Sequence, residues 1–118
     1  MRAKDAVGRY GERVAAAYLA DAGWQVLDRN WRCPAGELDI VALNGTELVV
    51  VEVKTRTGDG FGHPAEAVTA RKLARLRRLA AQWLDAHDLR PTGVRVDVIA
   101  VRTAPRGAAT VEHLAGVL

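Results

Sequence analysis

Between residues 5 and 22 apolar side chains recur at helical spacing. Val14, Ala17, Tyr18 and Leu19 give one apolar face, and Gly23 follows where a helix end favours glycine. Trp24 to Arg32 then reads as extended, and Cys33-Pro34-Ala35-Gly36 interrupts it. Glu37 to Leu43 and Glu47 to Lys54 read as two strands around an Asn44-Gly45 turn. Gly58 to Pro64 is loop. Thr69 is placed to cap a helix running to about Leu89. Val94 to Val101 is β-rich, and residues 110 to 114 suggest a short last strand. The order α-β-β-β-α-β, with one further strand, predicts an α/β fold: a mixed sheet flanked by helices.

The 118 residues suit a single domain covering the whole chain, and no repeat, low-complexity tract or long linker divides them. Hydrophobic residues make up 49% and charged residues 26%, the balance of a globular protein. No apolar run reaches the length of a membrane span, so no membrane partner is expected. The N-terminal Met1 to Asp5 has no apolar stretch behind its charges and does not read as a signal peptide. A lone Cys33 cannot form an internal disulfide, and a reducing, cytoplasmic setting is expected. The formal charge of +3 is compatible with a polyanionic partner, but the distribution of charge says more than its total.

The hairpin carries the candidate chemistry. If Asn44-Gly45 is a two-residue turn, Leu43 faces Thr46, Asp39 falls opposite Val50 and Glu37 opposite Glu52. Side chains alternate along strands, so Leu38, Ile40 and Ala42 share a face with Val49, Val51 and Val53. That face should be core. The other face is apolar near the turn and charged at its far end, where it holds Glu37, Asp39, Glu52 and Lys54. In this register Asp39 and Glu52 are diagonal neighbours, roughly 7–8 Å apart at Cα. Carboxylates this close repel one another. A divalent cation removes the repulsion, and Mg²⁺ prefers oxygen ligands. The plain reading is that these are solvated strand ends. The joint pattern outweighs it: Gly-Glu-x-Asp, a turn, then a valine-rich strand ending in Glu-Val-Lys.

The segments Gly36-Glu37-Leu38-Asp39-Ile40-Val41-Ala42 and Val49-Val50-Val51-Glu52-Val53-Lys54-Thr55-Arg56 resemble the PD-(D/E)XK nuclease superfamily, also described as restriction-endonuclease-like. They are most similar to its YraN-like family of uncharacterised bacterial proteins. The resemblance extends through Gly8-Arg9-Tyr10-Gly11-Glu12, Tyr18-Leu19, Gly23-Trp24, Asn30-Trp31-Arg32, Phe61-Gly62 and Arg95-Val96-Asp97-Val98, nearly the whole chain. Glu-x-Lys alone is a loose motif, whereas the run from Asn30 to Arg56 is specific. The sequence departs from the superfamily's name, since Leu38-Asp39 stands in place of Pro-Asp.

The resemblance implies cleavage of phosphodiesters that depends on Mg²⁺ or Mn²⁺. Asp39 and Glu52 would hold the metal with the backbone carbonyl of Val53. Lys54 would hold the phosphate or the attacking hydroxide. Glu37 serves either a second metal or an outer position. Related nuclease folds place a helical Glu near the metal, which points to Glu12; otherwise Glu12 is a surface residue between Arg9 and Arg13. Thr55 and Arg56 follow the motif and are candidates for contact with a nucleic-acid backbone.

On the second helix Arg71, Arg75 and Arg78 share one face, while Leu73, Leu76, Ala80 and Trp83 form the inward stripe. The basic face is either a phosphate-binding ridge or a solvated surface. Lys72 and Arg77 add to the charge of the same helix. His63 stands before a proline in the glycine-rich loop and could approach the site as an acid. Cys33 lacks a basic partner nearby in sequence. His87 and His113 lack zinc-ligand spacing. Trp24 and Trp31 suit the core or its edge, and Asp97 could support the site from a neighbouring strand. No Gly-Lys-Ser/Thr or Gly-x-Gly-x-x-Gly loop appears, which argues against ATP or NAD chemistry.

The first expectation is a DNA endonuclease acting on branched or damaged structures in repair or recombination. Its specificity would come from DNA shape or a protein partner, and a homodimer would suit cutting of two strands. The alternatives are a non-cleaving nucleic-acid-binding module of the same fold and an RNA-cleaving enzyme.

Overall fold

The structure is a computed structural model, and it describes residues 3–57, 66 and 68–117. His63 and Phe61-Gly62 lie outside the described residues. The elements run α1 (Ala3–Asp21), β1 (Gln25–Cys33), β2 (Gly36–Asn44), β3 (Glu47–Thr57), α2 (Ala70–Ala86), β4 (Gly93–Thr103) and β5 (Thr110–Leu114). The α/β order expected from the sequence is observed, and the short last strand is present. Among the described residues no helix is long and apolar enough to cross a membrane.

The strands form one sheet in sequence order, β1-β2-β3-β4-β5. Neighbours are antiparallel except β3 and β4, which run parallel and are joined by way of α2. A parallel pair needs a long crossover connection, and α2 supplies it. The sheet is therefore covered on both faces. Beneath α2 lie Val41, Leu48, Val50 and Val96 with Leu76, Leu79, Ala80 and Trp83. Beneath α1 lie Ile40, Ala42, Val49, Val51, Ile99 and Val101 with Ala15 and Leu19. This double burial explains why β3 reads as an unbroken valine run rather than as an alternation.

Three expectations change in detail. Ala17 is exposed, and Ala15 takes its place on the buried stripe of α1 with Gly11 and Leu19, residues four apart on one face. The helix predicted to reach about Leu89 ends at Ala86, with His87 as its C-cap. The hairpin turn is Gly45-Thr46, closed by Asn44↔Glu47, not Asn44-Gly45. Gly45 has φ +64°, whereas neither Asn44 nor Thr46 has positive φ. A turn with only its first central residue in that region needs glycine there, so the glycine fixes which two residues turn.

The register is consequently two residues from the expected one. Val41 faces Val50 and Ile40 faces Val51. Continued by one step, this puts Asp39 opposite Glu52, not Val50. A shift of two preserves which face each side chain occupies, so Ile40, Ala42, Val49, Val51 and Val53 keep their expected common face. Leu38 does not: it packs with Val41 under α2 instead.

The β2–β3 ladder ends at Ile40↔Val51. Leu38 and Val41 both belong to the cluster under α2, a spacing that strict alternation does not give. β2 thus rotates across Asp39. In β1, Asn30 lies between the pairs Arg29↔Ile40 and Trp31↔Leu38, hence across from Asp39, and has φ +53°. Asparagine is among the few residues that tolerate this left-handed backbone.

Candidate metal and phosphate site

Because β2 leaves β3 at Asp39, the next backbone donor on β3 needs a different partner. The Val53 N–H donates to Asp39 Oδ2 at 2.8 Å. The carboxyl of Asp39 is thereby tied to the segment that carries Glu52 and Lys54. Glu52 is 9% exposed, a buried carboxylate. Lys54 Nζ approaches Glu52 Oε2 at 3.6 Å, and Lys72 Nζ from α2 forms an ion pair with the same oxygen. Glu37, Asp39, Glu52, Val53, Lys54, Lys72, Arg75 and Leu76 line one open pocket.

The electrostatics follow from this crowding. Burial, the Glu52 charge and hydrogen bond, and the Glu12 charge push the Asp39 carboxyl up to about 7, against the opposing Val53 N–H. Burial and the neighbouring Lys72 lower Lys54 from the usual ammonium range. For Lys72, burial acts downward, but the hydrogen bond and charge of Glu52 outweigh it and its pKa is raised.

The pocket thus gathers Asp39, Glu52, Val53, Lys54 and Glu37 from the expected set. Glu37 stands at the exposed rim, where its Oε2 pairs with Arg32 Nε at 3.0 Å. Glu12 reaches the site from α1: its charge acts on Asp39, and its Oε2 is buried with no hydrogen-bond partner among the described residues. Arg75 lines the pocket, while Arg71, Arg75 and Arg78 are all exposed on α2. Arg56 is exposed at the end of β3, and its charge acts on Lys54. Thr55 faces the other way, under Gly11 of α1, so it does not share the pocket's side of the sheet.

Asp97 does not support this pocket. It is 0% exposed beneath α1, where Arg95 Nε and Nη2 donate to it at 2.8 and 3.0 Å, His113 Nε2 at 2.7 Å and the Gly116 N–H at 2.8 Å. His113 and His87 serve the scaffold. His113 Nδ1 meets the Tyr18 hydroxyl at 3.1 Å, and His87 stacks on Trp83 at 3.9 Å between centroids. Trp24 and Trp31 pack against the two cores, and the Cys33 thiol donates to Gln82 Oε1 at 3.2 Å.

Residues 11–101 match the family described as uncharacterised protein family UPF0102. The chain belongs to that family. It is the YraN-like group that the sequence resembled. A UPF0102 protein of Beutenbergia cavernae is 63% identical over 117 residues, covering 99% of both chains. One of Kineococcus radiotolerans is 60% identical, covering 99% of this chain and 97% of that protein. One of Frankia alni is 58% identical, covering 98% and 97%.

The family name brings no activity, so the donor set must be judged on its own chemistry. Two carboxylates, the Val53 carbonyl and the unpartnered Glu12 oxygen are all hard oxygen donors suited to Mg²⁺ or Mn²⁺. As they stand, no three His, Cys, Asp or Glu side chains among the described residues are grouped closely enough to hold a metal. Ammonium groups neutralise Glu52 instead. The donors fit such an ion in kind, and occupancy would require Glu52 to part from a lysine.

Lys72 is the site residue that the sequence reading passed over. By sequence it groups with the basic residues of α2. The available signal was its position four residues before Leu76 and eleven before Trp83, on the inward stripe. A cation there must meet a buried partner, and no residue near it in sequence announced Glu52.

Proposed function

We propose that this protein is a nuclease that hydrolyses phosphodiester bonds of DNA with the help of Mg²⁺ or Mn²⁺, acting on branched or damaged structures. The observation that carries the reading is the pocket in which Asp39 and Glu52 crowd together with Lys54 beside them. Repelling carboxylates are costly for a fold that needs only stability, and they suit a site that accepts a cation.

Asp39, Glu52 and the Val53 carbonyl are the groups to hold the ion. Its chemistry is polarisation of a phosphate and acidification of a water. Asp39 takes its orientation from the Val53 N–H. Glu12, whose charge acts on Asp39 and whose buried Oε2 has no partner among the described residues, would be a further oxygen donor. Lys54 Nζ holds the scissile phosphate or the attacking oxygen, and burial with the neighbouring Lys72 lowers its pKa. Arg75 and Arg56 extend positive charge from the pocket along the path of a strand.

The lysine-neutralised state of Glu52 favours a second reading, a nucleic-acid-binding module that does not cut. One assay separates the two. Purified protein is incubated with Mn²⁺ or Mg²⁺ and linear, single-stranded, flapped or four-way-junction DNA, beside matched RNA and an Asp39→Ala control. Cleavage of DNA that needs metal and disappears in the control is the expected result. Cleavage of RNA alone would change the substrate class. Binding without cleavage by a folded, metal-loaded protein would establish the module, and activity surviving Asp39→Ala would sink this site.

A further inference from the structure

Glu52 Oε2 is an unusual oxygen because two ammonium groups converge on it, Lys54 from its own strand and Lys72 from α2. At Asp39 the balance is reversed. Asp39 lies near Glu52 and Glu12, and Glu12 Oε2 is buried without a partner among the described residues. Positive charge is thus concentrated on Glu52, a group that a metal ion would also need. The backbone of Lys72 is fixed, because its N–H donates to the capping Thr69 Oγ1 at 3.1 Å. Its four-carbon side chain is not tied in that way. It lines the same pocket as Lys54 and Arg75.

We propose that Lys72 is a resident counter-ion which competes with the divalent cation for Glu52, and which turns to the phosphate of the nucleic acid when the cation is bound. This rests on the metal-dependent reading above. The physical reason is that a buried carboxylate left without a cation is strongly destabilising. Exchange of one cation for another spares Glu52 that state at every stage. The released ammonium then joins Lys54 and Arg75 as a further positive group facing the substrate. Metal and polyanion consequently assist one another's binding, and by linkage the assistance is reciprocal.

The test measures Mn²⁺ alone, by the paramagnetic resonance signal of the free ion, on the folded wild-type protein and on Lys72→Met, Lys72→Arg, Arg71→Met and Asp39→Ala. Thermal melting checks that each variant is folded. Lys72→Met is expected to bind Mn²⁺ about tenfold more tightly than wild type, as befits a lost competitor. Lys72→Arg should stay near wild type. Arg71→Met, which removes an exposed charge one position away, should change affinity by less than about twofold. Asp39→Ala should lose binding.

Unchanged or weaker binding by Lys72→Met, while Asp39 remains essential, would overturn the exchange and leave the nuclease reading standing. No Mn²⁺ binding by wild type would overturn both. A measurement on unaltered protein guards against a variant that fails to fold. The Lys72 side-chain nitrogen resonance should move in step with Mg²⁺ binding, and a resonance that stays in place at saturation would also reject the exchange.

Discussion

Asp39 combines two roles that pull its proton in opposite directions. As an acceptor for the Val53 N–H it favours the charged form; burial and the charges of Glu52 and Glu12 oppose this more strongly and push it up to about 7. The unfolded chain has the ordinary value of 3.8. Between these values the folded protein holds a proton that the unfolded chain has lost, so stability falls as pH rises from about 4 to about 7 and levels off above. The ceiling is about 1.4 kcal/mol per pH unit. Metal-free wild type should therefore resist urea better at pH 5 than at pH 8. Asp39→Asn, which keeps an acceptor for the Val53 N–H, should lose less between the two and should be the more stable protein at pH 8. Equal pH dependence in both proteins would assign the effect to another group. Metal requires the ionised form, so Mn²⁺ affinity should weaken as pH falls below about 7.

At the scale of elements, the site depends on how closely α1 crosses β3. A Cβ built on Gly11 would lie 1.8 Å from Thr55 Oγ1 and 2.8 Å from Thr55 Cβ. Glycine is needed there for close approach rather than for backbone freedom, and the contact sets the height of Glu12 in the next position. Gly11→Ala should cost about 1–3 kcal/mol in chemical denaturation and weaken Mn²⁺ binding. Adding Thr55→Gly should recover part of both losses, because the two residues contact directly. Strictly additive losses would show that the contact is not what fixes the helix.

The second helix contributes through its exposed side. Arg71, Arg75 and Arg78 are exposed on α2, and Arg75 lines the pocket. Replacing all three with Gln should flatten the dependence of DNA affinity on salt, by up to about one unit of slope per lost phosphate contact. An unchanged slope would make this face a solvated surface.

Across the whole molecule, the pocket sits on one face of the sheet and a buried polar network on the other. Asp97 on β4 joins Arg95, His113 on β5 and the Gly116 backbone, and His113 continues to Tyr18 on α1. Arg95 also reaches Glu47 and lies over the Trp24 ring, and the Asp97 carboxylate holds its pKa above the usual range. The network fastens the β5 edge and α1 to the centre of the sheet. Asp97→Asn should destabilise the fold by about 3 kcal/mol, since it removes the buried charge on which Arg95 and His113 converge. It should leave Mn²⁺ affinity at Asp39 and Glu52 nearly unchanged wherever the protein is still folded. A selective loss of metal affinity would mean that Asp97 does act on the site.

The sequence by itself determined the element order and the faces of the hairpin except at Leu38, where β2 rotates. Apolar spacing distinguishes helix from strand, and face assignment depends only on even or odd position, which is why a two-residue error in register left Asp39 and Glu52 on one side. It also determined the Thr69 cap, since that contact spans three residues. Tertiary structure decided the rest. Asn30 in a neighbouring strand accompanies the turn of β2 across Asp39. Lys72 meets Glu52 across 20 positions of chain, and Asp97 finds His113 across 16. Local patterning fixes which way a side chain points along its own element. What it meets there depends on how the elements pack, and that depends on residues distant in the chain.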